Sequence, residues 1–338
     1  MIIQEALKLY NIPYIVESIQ TGGGFTQYKL RPSGVGATLD KLQRRLNDLQ
    51  IATGSQYDIV LENGTDLYLR SQSRQSFYNW VDYNGYIDFK NREIPFIVGF
   101  SPAGSLVMDT IKNCPHMLVS GTTGSGKSIF LHSLITSSIC NHANVFLVDC
   151  KQVEFALYEG VAHVAYTVFG ETSAAVFINH LISVMEKRNA AIKAAGLRDF
   201  ESWQLQNPDE RRNVLVIDEL SDLLCDKKAF NALMPRLLRL VQKGRSAGIH
   251  VILATQRPDA SVINGTIKAN IPTRLAFHAI TNTDSRVILD RGGAEKLSGK
   301  GDGLYLSNGA QDLKRIQAPY IDIEYIKDIV NKCLSRPA

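Results

Sequence analysis

What this chain lacks narrows its reading before any motif is met. Its 338 residues hold only five cysteines (Cys114, Cys140, Cys150, Cys225 and Cys333), odd in number, widely spaced and without a CxxC pair. That usage argues against a disulfide framework and a thiolate zinc site, and it suits a reducing cytoplasm. No apolar run approaches the roughly 18 to 20 residues that span a bilayer, and the N-terminus has neither a basic n-region nor an extended apolar segment, so direct membrane insertion is not expected. Internal repeats and low-complexity tracts are also missing. The formal net charge is only +4. Over this length it marks a local basic surface at most, and charge alone identifies no nucleic-acid partner.

What is present is ordinary for a folded enzyme, with 45% hydrophobic and 21% charged residues and no signature of disorder. The length exceeds what one core usually organises, which favours a larger domain with a smaller companion. Residues 1–92 read as a small α+β domain. Short alternating segments, Phe25–Leu30 and Tyr57–Leu61, are set off by turns at Gly22–Gly24 and Glu62–Gly64. Between them Leu39, Leu42, Leu46 and Leu49 recur at helical spacing and predict one amphipathic helix. Its arginines, Arg31, Arg44, Arg45, Arg70 and Arg74, either face a polyanion or form a solvated surface.

Residues 93–338 change character. Apolar runs of four to six residues alternate with longer helical segments, the pattern of a mostly parallel sheet with helices on both faces. Strands are predicted at Met117–Ser120, Val145–Asp149, Val214–Asp218, Val251–Thr255, Arg274–Phe277 and Leu304–Leu306. A helix is predicted over Ser173–Ala195, closed by Gly196.

Three motifs carry chemistry. After the first of those strands comes GTTGSGKS, and the nucleotide-binding set is Gly121, Thr122, Thr123, Gly124, Ser125, Gly126, Lys127, Ser128 and Ile129. The glycines let backbone N–H groups turn onto phosphates, Lys127 reaches the β and γ oxygens, and the Ser128 hydroxyl ligates Mg²⁺. The second is VLVIDEL, whose strand ends in Asp218 and Glu219. Asp218 suits the second metal-holding position, and Glu219 suits orientation of the attacking water. The third is Gln256, at the tip of VILAT, which suits a sensor that bonds both lytic water and γ-phosphate. ATP and Mg²⁺ are the cofactors implied.

In this order the segments HMLVSGTTGSGKS, LVIDELSDLL, GRSAGIHVILATQRP, IKANIPTRLAF and DSRVILDRGGAEKLSGKGDGLYL resemble the FtsK/SpoIIIE motor domain. The resemblance runs from about Ile94 to about Ile321, and GGGFTQYKL with the leucine-striped helix resembles the small domain that precedes the RecA-like core in that family. It implies an ATP-driven translocase of double-stranded DNA that works as a homo-hexameric ring in DNA transfer, segregation or packaging and is recruited by an unidentified protein. It also implies an arginine supplied in trans to each ATP site, with Arg274 the first candidate, Arg245 the second and Arg286 the third. Lys151 takes a family position beside the nucleotide. DNA-facing loops are expected around Asp226–Lys228 and Arg257–Lys268. The family's membrane helices and its sequence-reading winged helix are not expected. A protein-secretion motor of the same type is the alternative.

Overall fold

The computed structural model describes residues 3–22, 25–53, 55, 57–62, 66–72, 93–102, 104–149, 153–168, 171–224 and 227–334. Arg74, Lys151 and Asp226 lie outside the described residues. Two compact units result, Met1–Tyr78 with Gly99–Val107, and Asn79–Val98 with Met108–Ala338.

In the first unit, strands β1 (Tyr14–Gly22), β2 (Phe25–Pro32), β3 (Tyr57–Glu62) and β4 (Asp66–Gln72) form a sheet in the order β1-β2-β4-β3. All neighbours are antiparallel. Alternation along the strands turns Tyr14, Leu30, Leu67 and Leu69 into a core shared with Ile3, Ala6 and Leu7 of the helix Ile3–Leu9. The leucine stripe does not make one helix. It makes two, Leu39–Arg44 and Leu46–Thr53, because Arg45 leaves helical geometry at φ −97, ψ 6. Leu42 and Leu49 still reach the core, so the stripe did its packing work through a break. The arginines are mostly accounted for locally: Arg44 pairs with Asp40, Arg45 with Asp48, and Arg70 is buried against Gln27. Arg31 is exposed.

The remaining strands are β5 (Pro95–Phe100), β6 (Leu106–Thr110), β7 (His116–Ser120), β8 (Asn144–Asp149), β9 (Val164–Val168), β10 (Asn213–Ile217), β11 (Ile249–Thr255), β12 (Thr273–Ala276), β13 (Asp302–Leu306) and β14 (Lys314–Gln317). They form one ten-stranded sheet in the order β6-β5-β14-β13-β12-β7-β11-β10-β8-β9. From β12 to β9 every pairing is parallel, while β13 and β14 run antiparallel. The central strands are buried along their whole length, as in NVLVI and IHVILAT. That is why they read as unbroken apolar runs.

Helices Lys127–Cys140, Glu171–Ala194 and Lys227–Lys243 cross between strands. The second of these ends one residue before the predicted boundary, and Gly196 closes it at φ 69. This is the α/β architecture expected of a RecA-like core. The strands β5, β6, β9 and β14 were not anticipated. Cys140 is disulfide-bonded, a pairing the wide spacing of the cysteines did not suggest, and Cys114 is a buried free thiol. No helix among the described residues is long and apolar enough to cross a membrane.

Candidate functional site

The sheet order decides which side chains meet. β11 lies between β7 and β10, and all three run parallel, so the loops after them open on the same edge. That edge carries the phosphate-type loop, the Asp218–Glu219 pair and Gln256 together, where open parallel sheets hold their ligands.

The loop Gly121–Gly126 leads into the helix Lys127–Cys140, whose N-cap Gly126 stands at φ 112, a conformation closed to residues with a Cβ. Space forbids one as well. A methyl on Gly126 would meet the backbone nitrogen of Gly301 at 2.5 Å. The segment around Gly301 is bound to the loop from behind. The Lys300 amide donates to the Gly124 carbonyl at 3.4 Å and the Gly301 amide to the Ser125 carbonyl at 2.7 Å. Gly301 is itself anchored, since its carbonyl accepts from the Ala318 amide at 2.7 Å, and Asp302 is clamped by Arg315. Nothing in the sequence patterning signalled this backing strap.

At the start of that helix Lys127 is 3% exposed, and its ammonium donates to the Asp218 carbonyl at 2.8 Å and to its Oδ1 at 2.9 Å. Asp218 is fully buried, and its Oδ2 has no hydrogen-bond partner among the described residues. Glu219 is held differently. The Thr255 hydroxyl donates to its Oε1 at 2.7 Å, the Gln256 amide to its Oε2 at 2.8 Å and the Ser221 amide to Oε1 at 3.3 Å. Gln256 in turn accepts, through Oε1, a hydrogen bond from the Thr123 hydroxyl at 3.3 Å. Its backbone thus touches the carboxylate while its side chain touches the phosphate-type loop. Ser221 and Thr255, whose hydroxyls lie 2.9 Å apart, were not singled out by sequence.

Nor was Glu154, in the loop after β8. Its carboxyl is pushed above the usual carboxylate range, first by burial and then by the negative charge of Asp218. An acid a few residues past an apolar strand, on the edge where the other loops open, was the available signal.

The arginines separate. Arg274 is buried. Its Nε donates to the Ile271 carbonyl, Nη1 to the Ile288 carbonyl and to Asp290 Oδ2, and Nη2 to the Lys268 carbonyl. Burial would raise the Asp290 carboxyl, but hydrogen bonds from Lys268 and Arg274 outweigh it and hold it below the usual range. Arg286 bonds Asn282 within its own helix. Arg245 is exposed and has no hydrogen-bond or ion-pair partner among the described residues.

Arg245 sits just before β11, on the edge of the sheet opposite the phosphate-type loop. There it lines a cavity of about 420 Å³ with Lys243, Arg212, Phe200 and His250. Arg188 and Arg212 stand over the Phe200 ring at 4.6 and 5.4 Å. Burial, then the Arg245 charge, pushes His116 down to about 3, and burial with the Arg212 charge lowers His250 as well. Of the loops expected to face DNA, Arg257 is exposed and Lys268 is tied to Asp290.

The FtsK/SpoIIIE family profile matches residues 85–215. The chain is 34% identical to a DNA translocase FtsK of Caldanaerobacter subterraneus subsp. tengcongensis, over 97% of this chain and 48% of the relative. It is 32% identical to one of Staphylococcus aureus strain Mu50, over 98% and 44%. The chain therefore spans about half the length of the curated relatives it matches. In structure it is similar to the pCW3 conjugation coupling protein TcpA, solved with ATPγS, at TM-score 0.72 and 23% identity over 98% of this chain and 97% of that one. It is also similar to the cytoplasmic domain of the type VII secretion ATPase EccC of Thermomonospora curvata, at 0.65 and 21% over 78% and 35%.

Proposed function

Since the chain belongs to the FtsK/SpoIIIE family as its motor module, we propose that it hydrolyses ATP and uses the energy to move double-stranded DNA through a ring of identical subunits, six by the family resemblance. The observation that carries this reading is the convergence at one sheet edge of Lys127, Asp218, Glu219 and Gln256, already joined by hydrogen bonds. Lys127 binds the β and γ phosphates once it leaves Asp218. Glu219, its carboxylate fixed by Thr255 and the Gln256 amide, orients the attacking water. The Gln256 side chain, lying against Thr123, carries the state of the γ-phosphate into β11.

The residues present suit Mg²⁺. No cluster of three metal-ligating side chains exists among the described residues, which fits a cation that takes one or two carboxylates and draws its other ligands from phosphates and water. The unpartnered Asp218 Oδ2 and the Ser128 hydroxyl are the groups that would hold it. When bound, the ion neutralises charge that develops on the phosphoryl oxygens.

The trans arginine is read as Arg245 in preference to Arg274. Arg245 is exposed and unpaired, whereas Arg274 is spent on acceptors of its own unit. The small sheet unit is read as the family's companion domain and DNA as its polyanion. Phosphate contacts alone make the binding strongly salt-dependent, with log K falling at about −0.9 per contact against log salt, and nearly indifferent to base sequence. A secretion motor is the second reading, favoured by the likeness to EccC. The deciding experiment measures ATPase rate with no polymer, with duplex DNA, with single-stranded DNA and with unfolded polypeptide. Stimulation by duplex alone supports translocation of DNA, and stimulation by polypeptide alone overturns it.

A further inference from the structure

The turn that leads into β11 is fixed at both ends. At Gly244, just past the helix Lys227–Lys243, a Cβ would meet the Leu240 carbonyl oxygen at 2.5 Å, and at Gly248, held at φ 67, it would meet the Phe200 ring at 2.4 Å. Space excludes a side chain at either position. Arg188 donates to the Ala247 carbonyl at 3.1 Å, and the Asn213 amide donates to the Gly248 carbonyl at 2.9 Å. This held turn carries Lys243 and Arg245, both exposed, both lining the cavity of about 420 Å³ and neither with a hydrogen-bond or ion-pair partner among the described residues. The acids of the cavity do not answer them. Glu201 is paired with Lys112 at 2.9 Å, and Asp199 caps its own helix by accepting from the Ser202 amide at 2.9 Å. The buried wall is cationic as well, since Arg212, 5% exposed, donates through Nη1 to His250 Nε2 at 3.3 Å. His250 Nδ1 bonds the Pro115 carbonyl at 3.1 Å, which only accepts, so the ring proton sits on Nδ1 and the imidazole is neutral. Four cations therefore line the cavity against two acids, and its volume is that of a small-molecule site.

The geometry points to this cavity as a binding site for a small anion that carries two or more carboxylate or phosphate groups. The Arg245 guanidinium binds one group through paired N–H donors and the Lys243 ammonium binds another as a point charge, with Phe200 and Arg212 as the wall. The site needs neither ATP nor duplex DNA, so it stands or falls apart from the translocase reading. One Arg245 cannot serve this anion and a neighbour's ATP at once.

The test titrates inorganic pyrophosphate and citrate into the full chain by calorimetry, as wild type, Lys243→Gln, Arg245→Gln, the two combined, and Lys127→Ala. Each cavity substitution is expected to weaken the anion about tenfold or more, as loss of a hydrogen bond to a charged group does, and the combined variant to lose it. Lys127→Ala should keep the cavity's binding. Both cavity side chains are exposed, so thermal denaturation that matches wild type shows the fold intact. Tighter pyrophosphate assigns the phosphate class, and tighter citrate the carboxylate class. Binding of neither anion overturns the inference. So does binding lost in Lys127→Ala and kept in the combined variant, which would seat the anion on the phosphate-type loop, and so does heat that sodium chloride at equal ionic strength reproduces. Binding of duplex DNA alone, lost in the combined variant, would make this edge a nucleic-acid surface and overturn it too.

Discussion

The two edges of the ten-stranded sheet solve opposite problems with the same strands. Where β7, β10 and β11 end, charge is buried and matched internally: Lys127 lies on Asp218, and Glu219 on a hydroxyl and amides. One carboxylate oxygen has no partner among the described residues. Where the same strands begin, the buried cations Arg188 and Arg212 are settled on the Phe200 ring, His116 and His250 are kept neutral by burial, and Arg245 is turned out to solvent beside Lys243. Parallel strands make this segregation possible, because every crossover returns the chain to the same side. One edge becomes a receptor for a polyanion, and the other a surface whose buried cations are settled on an aromatic ring while Lys243 and Arg245 stay free at its cavity.

If that division is right, substitutions at the two edges should fail in different currencies. The largest effect is expected from Arg245→Ala, because an arginine acting in trans on phosphoryl transfer is worth about 10³-fold or more in turnover. Thermal stability should not move, since the side chain is exposed and unpaired. Mixed with Lys127→Ala subunits, Arg245→Ala subunits should regain hydrolysis. Arg274→Ala, in contrast, should lower the melting temperature, because the carbonyls of Lys268, Ile271 and Ile288 and the Asp290 carboxylate lose their donor. Complementation by Arg274→Ala at unaltered stability would break the comparison and restore that residue as the finger.

Glu219→Gln comes next. Removing a water-orienting carboxylate should cost about 10²-fold or more in kcat while the affinity for an ATP analogue, measured by titration, is retained. Near-normal turnover would remove Glu219 from the chemistry.

At the opposite edge, Phe200→Ala should destabilise the fold by about 3–5 kcal/mol in urea titration, the usual cost of emptying a buried aromatic site. Nucleotide affinity of the protein that remains folded should be unaffected. A change there of tenfold would mean that the two edges are coupled.

The smallest effect is on acid tolerance. His132 is held down to about 4 and His116 to about 3, both chiefly by burial. Between about pH 6.5, where an unfolded histidine titrates, and these values the unfolded chain binds protons that the folded chain refuses. Stability must therefore fall as pH drops through that window and gain nothing from these groups above it. Melting temperatures at pH 7.5, 6 and 5 should show the decline, and His132→Gln should make it shallower.

How much of this was legible depends on the range of the interaction. The phosphate-type loop, β10 and β11 could be read because their chemistry is written in contiguous residues: glycines at fixed spacing, an apolar run, an acid at its end. The place of Gln256 between the loop and Glu219 followed from them. The strand β13 was legible in Leu304–Leu306, but β14, and the strap behind the loop, which joins Gly301 to the distant Gly124–Ser125 turn, left no local trace. Arg274 shows the other limit. Sequence placed it at the start of a strand, as it is, but could not reveal that Asp290 and three carbonyls already hold it. The break at Arg45 was hidden because two short helices with a common buried face keep the same leucine spacing as one long helix.

Gly126 and Gly301, pressed together behind the loop, also constrain how this chain varies. A packed pair usually drifts by exchange, one residue growing as its neighbour shrinks. Here neither member has anything left to give up, and both stand at positive φ, 112 and 93, where a compensating change elsewhere relieves no strain. Each position is therefore held to glycine by its own left-handed backbone, and Gly126 also by the backbone of Gly301, a residue distant in the gene.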